Sequence, residues 1–115
     1  MSQQDLEQIA VDLKDAEKMV KIGEALHRLY QNEDFKNIVL EQYFKEEPAR
    51  CVVMLGRLQH DPKACERIHN DLTAIGLFQG FLQTVNQGYH EALRSISSLN
   101  EAQVAIEQEM QEQGQ

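Results

Sequence analysis

Apolar residues recur along this chain at steps of three and four, the signature of helices that each bury one face. In the first stretch Leu6, Ile9, Leu13, Ala16 and Val20 keep that spacing, and the stripe then drifts onto Met19, Ile22, Leu26 and Leu29. The pattern predicts a first helix from about Gln4 to Tyr30, within residues 1–31. Gly23 interrupts it at a cost of roughly 1 kcal/mol of helix preference. A glycine there either admits a close helix–helix contact or is merely tolerated.

Residues 32–60 read as kinked or paired helices. Asn32 suits an N-cap, because its side chain can accept from a free N–H of the first turn. Glu33 and Asp34 add favourable charge at that positive end. Phe35, Ile38, Val39 and Phe44 form the expected buried face. Pro48 then predicts a break or kink, with Glu47 biased out of the helical region. A new helix can open with Pro48 in its first turn. It would carry Val52, Val53, Leu55 and Leu58, with Met54 beside them, and end near Gln59 or His60.

Residues 61–110 read as one long C-terminal helix with a clear start: Asp61 as N-cap and Pro62 in the first helical position. Ala64, Ile68, Leu72, Ile75, Leu82, Tyr89, Leu93 and Ile96 keep heptad phase, resembling a coiled-coil seam. Phe78, Phe81 and Val85 widen the stripe in its middle. The weaker helix formers of "SISSLNEAQ" allow a break near Ser98 to Asn100. No internal repeat or long linker asks for a second domain. The expected fold is therefore all-α: a single helical domain over 1–115, an antiparallel helical bundle with a long, coiled-coil-like C-terminal helix.

Composition narrows the partners. The chain of 115 residues is 42% hydrophobic, enough for one folded domain, with a limited core. Nineteen acidic residues against 11 basic ones give a formal charge of −8. After Ile68 the only Lys or Arg is Arg94. This argues against nucleic acid and anionic membranes, both of which need clustered cations. No apolar run approaches the ~20 residues of a membrane span. "MSQQDLEQIA" lacks the basic and apolar parts of a signal peptide. Two cysteines suit a reducing compartment better than a disulfide scaffold, so a cytoplasmic protein is expected.

Candidate chemistry is sparse. Glu46 and Glu47 are neighbours, so on a helix they diverge and make a poor acid–base pair. Arg50 can pair with Glu46 across the expected break. Cys51, His60, Cys65 and His69 carry metal-capable atoms, yet their spacing matches no Cys-x-x-Cys knuckle, and Cys51 lies in an apolar run. No Cys–His pairing suggests an activated nucleophile, and no glycine-rich phosphate loop is present. No catalytic residue, metal ligand or cofactor is assigned, and no enzyme is expected. What stands out instead are contact candidates: Tyr43, Phe44 and Arg50 near the bend, Gly76 and Gly80 as a site of close helix approach, and Tyr89.

The stretch "GEALHRLYQNEDFKNIVLEQYFKEEPARCVVML" with "IHNDLTAIGLFQGFLQTV" resembles a group of small helical accessory proteins of tailed bacteriophages. The shared features are Leu26, Leu29, Asn32, Asp34-Phe35-Lys36, Val39-Leu40, Tyr43-Phe44, Glu46-Glu47, Arg50, Leu55 and Ile75-Gly76, over roughly Gly23 to Gly88. Pro48 departs from the pattern. The resemblance implies a phage setting, in the host cytoplasm or with the virion, and assigns no catalytic residues. The leading expectation is a non-catalytic structural or assembly protein acting through helix-mediated contacts, with itself or another protein. An acidic protein that binds and inhibits a host factor is one alternative. A small DNA-packaging or DNA-binding factor is another, opposed by the charge.

Overall fold

A computed structural model describes residues 2–114. It is an all-α helical bundle with a long C-terminal helix, in the order α1 (Ser2–Gln31), α2 (Glu33–Phe35), a π-helical segment π1 (Lys36–Glu46), α3 (Glu47–Arg57) and α4 (Pro62–Gln113). The chain divides into two compact units. One comprises Met1–Ala25 and Val85–Gln115, the other Leu26–Thr84.

The first unit pairs the early part of α1 with the later part of α4. Ile9 and Ala92 are buried between them. Gly23 is also buried, and the reason is steric. A methyl group at position 23 would stand 2.2 Å from Tyr89 Cδ1 and 2.3 Å from its Cβ. The helices can approach this closely only because the side chain is missing. Gly88 plays a milder version of the same part, since a methyl there would come within 2.8 Å of Met19 Cε. Leu93, expected in the seam, is exposed, and Ala92 is buried in its place. The inward row reaches Tyr89 and continues three residues later rather than four, which rotates Leu93 out.

The break near Ser98 does not form: α4 continues to Gln113. Serines cost a helix only tenths of a kcal/mol each, about the scale of ordinary propensity differences.

The second unit carries the tight turns. Asn32 caps α2 as expected, its Oδ1 accepting from the Phe35 N–H at 2.9 Å. Tyr30 and Phe35 meet across that turn with ring centroids 5.7 Å apart. Asp61 caps α4, accepting from the Ala64 N–H at 3.2 Å. Leu26, Cys51, Ala64, Ile75 and Leu82 are the buried residues of this unit.

Pro48 does not break the chain's helical course. Glu47, expected outside the helical region, has φ −63° and ψ −46°. The accommodation lies in the preceding turns. The Glu47 N–H donates to the Gln42 carbonyl, five residues back, closing a π-helical run of 11 residues. π-helical turns usually occur singly, so this run is long. A proline inside an α-helix lacks its hydrogen bond and presses on the carbonyl four residues earlier. Here the wider winding ends at the residue before the missing donor, and α3 resumes the ordinary register with Pro48 in its first turn.

The wider winding also changes which side chains face inward. Half-buried positions fall at Phe35 with Lys36, Val39 with Leu40, Phe44, and Glu47 with Pro48, at steps of four, five and three. Ile38, expected in the buried face, is left 65% exposed. In α3 and at its C-cap the inward residues are Cys51, Met54, Leu55 and Leu58. Val52 and Val53, among the apolar residues this helix carries, are exposed because they lie one and two residues around the helix from Cys51.

Candidate protein-contact surface

In the Leu26–Thr84 unit, π1 and α4 bring three aromatic rings together. Phe44 lies 5.5 Å from Phe78, Tyr43 lies 6.3 Å from Phe78 edge-on, and Tyr43 and Phe44 are 5.9 Å apart. Such pairs contribute about 0.5–1.5 kcal/mol beyond the area they bury. Phe44 is half-buried and helps close π1 onto α4. Tyr43 and Phe78 sit at the edge, 37% and 38% exposed.

Beside the rings runs an open groove of about 530 Å³, floored by Val39, Ala74 and Ile75 and edged by Ile38 and Tyr43. Glu47 and Asp71 place carboxylates along it.

Arg50 does not pair with Glu46. Its Nε donates to Glu47 Oε2 at 3.1 Å and its Nη2 donates to Glu47 Oε1. With no break at Pro48, Glu47 and Arg50 stand three residues apart on one helix face. The hydrogen bond from Arg50 holds the Glu47 carboxyl below its ordinary range, and its charge adds to the effect. The same partner raises the Arg50 guanidinium. Arg50 remains largely exposed. The fork is therefore a surface pair that fixes a cation beside the groove.

Cys51 is 1% exposed, and its Sγ lies 3.9 Å from Glu47 Oε1. Burial pushes its thiol above the usual range, and the neighbouring Glu47 charge reinforces that. Cys65 donates its S–H to the Leu58 carbonyl at 3.1 Å. Each thiol thus faces its own local partner. Among the described residues, no three His, Cys, Asp or Glu side chains converge on a common point.

The remaining contact candidates separate. A methyl group built at Gly76 or at Gly80 would meet nothing within 4 Å. These glycines face open space, whereas Tyr89 lies against Gly23 in the other unit. Sequence spacing did not single out the most exposed apolar side chains of this part of α4. Leu77 is 71% and Phe81 62% exposed. Phe81, expected to widen the buried stripe, is left exposed because it stands one residue, about 100°, around the helix from buried Leu82. A signal was available: from Leu72 to His90 the chain has no Asp, Glu, Lys or Arg. A helix with one solvated face normally carries charge on it.

In the first unit, Asp12, Asp15 and Glu91 border a wider groove of about 860 Å³ with Arg94 as its cation. It is polar at the rim and has no aromatic ring. None of the described helices is long and apolar enough to cross a membrane. No family model matches the chain, and neither the curated proteins nor the solved structures searched contain a match.

Proposed function

We propose that this chain is a non-catalytic assembly protein that works by laying helix faces against other proteins. The observation that carries the reading is the exposure of large apolar side chains in the Leu26–Thr84 unit, where Leu77, Phe81 and Ile38 are all more than half exposed. Leu77 and Phe81 stand four residues apart on α4 and so side by side, and adjacent exposed apolar side chains of this size mark a place of protein contact. Tyr43 and Phe78 supply the rigid aromatic anchors typical of such contacts. The resemblance to small phage proteins supports virion assembly as the setting.

A second reading, an acidic protein that occupies the basic surface of a host factor, draws support from the −8 charge. The two differ in which surface is engaged. A photo-crosslinking residue at position 77, placed in the chain in its native cell, should give protein adducts. One at position 107, among the exposed acidic residues of late α4, should give few. Adducts at 107 alone favour the acidic reading. No adduct at either position overturns both.

A further inference from the structure

The exposed side of α4 has an internal order that points to its occupant. Thr73, Gly76, Leu77, Gly80, Phe81 and Thr84 follow steps of three, one, three, one and three, so they lie along one helix face. Gly80 is half-buried and the other five are exposed. Read from its two ends, the face is a size-inverted palindrome. Thr73 corresponds to Thr84, Gly76 to Phe81, and Leu77 to Gly80. Each large side chain is matched by an open glycine at the mirrored position.

Two further features fit burial of this face. The threonine hydroxyls are satisfied within their own helix, Thr73 Oγ1 donating to the His69 carbonyl at 2.9 Å and Thr84 Oγ1 to the Gly80 carbonyl at 3.0 Å. Covering them leaves no unmet donor. The second feature is charge. Two copies of a chain with net charge −8 repel, and α4 from Leu72 to His90 is where no charged side chain opposes their approach.

Resting on the reading of this surface as a protein-contact face, we propose that its partner is a second copy of the same chain, packed antiparallel across a two-fold axis between Phe78 and Gln79. A two-fold contact presents the same patch from both sides, so a patch that binds itself must be complementary to itself. An antiparallel crossing sets Phe81 over Gly76 of the other copy and Leu77 over Gly80, twice each. The glycines admit the knobs and bring the backbones close. A parallel pairing would instead oppose Phe81 to Phe81 and leave the glycines facing each other, empty.

Sedimentation equilibrium of the purified full chain across the micromolar range tests the pairing. The expected result is a monomer–dimer equilibrium, with Phe81→Glu weakening the dimer roughly 30-fold or more, as for loss of a central anchor. Phe81 is mostly exposed in the monomer, so circular dichroism should be unchanged. Direction is tested in a Cys65→Ser background with a short bismaleimide. Thr73→Cys mixed with Thr84→Cys should cross-link between chains far more than either alone. A strict monomer, a dimer indifferent to Phe81→Glu, or Thr73→Cys cross-linking best to itself overturns the proposal. A strict monomer whose position-77 photo-adducts contain a different protein overturns self-pairing while leaving the contact function standing.

Discussion

Gly23 and Gly76 are the same residue set in helices of the same chain, and they are glycine for opposite reasons. At Gly23 the space a methyl would fill is already taken by Tyr89. At Gly76 that space is empty. The Met1–Ala25 and Val85–Gln115 unit has used Gly23 and Gly88 inside its own fold. The Leu26–Thr84 unit has kept Gly76 and Gly80 outside. A glycine in a helix is thus uninformative until its neighbour is known, and the neighbour decides the sign of every substitution there.

The strongest way to break this contrast is Gly23→Ala. The added carbon meets the root of the Tyr89 side chain rather than a flexible tip, so the helices must move apart. The expected loss is about 1–3 kcal/mol, the usual range for overpacking, read from thermal or urea unfolding. Tyr89→Gly should restore part of the loss in the double variant, since it removes the Cβ at 2.3 Å together with the ring. An undiminished stability for Gly23→Ala alone would mean that the close approach is not needed.

Asn32→Ala probes the second unit's own fold. It deletes the bond to the Phe35 N–H and should cost about 1 kcal/mol, as for other N-caps. Loss of far-UV ellipticity well before global unfolding would show that α2 and π1 depend on that cap locally.

Gly76→Ala goes the other way. In dilute solution it should stabilise by about 0.5–1 kcal/mol, because alanine is the better helix former and meets no obstacle. The same variant should weaken the proposed dimer, so its advantage shrinks as concentration rises. Stability and association moving in opposite directions is the sharpest form of the comparison.

Thiol labelling reports how closed the second unit's core is beside its open face. Cys51, buried and held in its neutral form, should react with iodoacetamide much more slowly than Cys65, as read by peptide mass spectrometry after a timed quench. The smallest effect belongs to Glu47. Its carboxyl is held below the ordinary range by Arg50, so its contribution is present above the unfolded-state pKa. That contribution is lost as pH falls through the folded-state value. Arg50 is exposed and Glu47 only half-buried, so only a slight acid weakening is expected. Glu47→Gln should abolish the part of the pH dependence that comes from this pair.

The boundaries of α1 and the start of α4 were legible in the sequence because caps and proline positions act through neighbouring backbone groups. Asn32, Asp61 and Pro62 do in the structure what their local chemistry implies. The faces between them were harder to read. Ile38 was assigned inward on an α-helical period, and the π-helical winding turned it out. Val52 and Val53 belong to the apolar run of α3, but only their register relative to Cys51 decides their face, and it leaves them exposed. Glu46 was paired with Arg50 on the premise of a break at Pro48, and a continuous helix gives Arg50 to Glu47 instead. Of the contact candidates, the sequence marked Tyr43, Phe44, Gly76 and Gly80, which the fold gathers on one unit. It missed Leu77 and Phe81, whose exposure follows from which side of α4 meets π1.

Pro48 has a consequence for motion as well as for shape. A π-helical turn is one extra residue carried in a helix, and such a defect can in principle migrate by handing each donor to the next carbonyl along. The Gln42 carbonyl takes the last five-residue bond from Glu47, and the residue after Glu47 has no hydrogen to hand on. At the other end the Asn32 side chain holds the first turn at the Phe35 N–H. The extra winding is pinned between a stop and an anchor, so Tyr43 and Phe44 keep one fixed bearing toward Phe78.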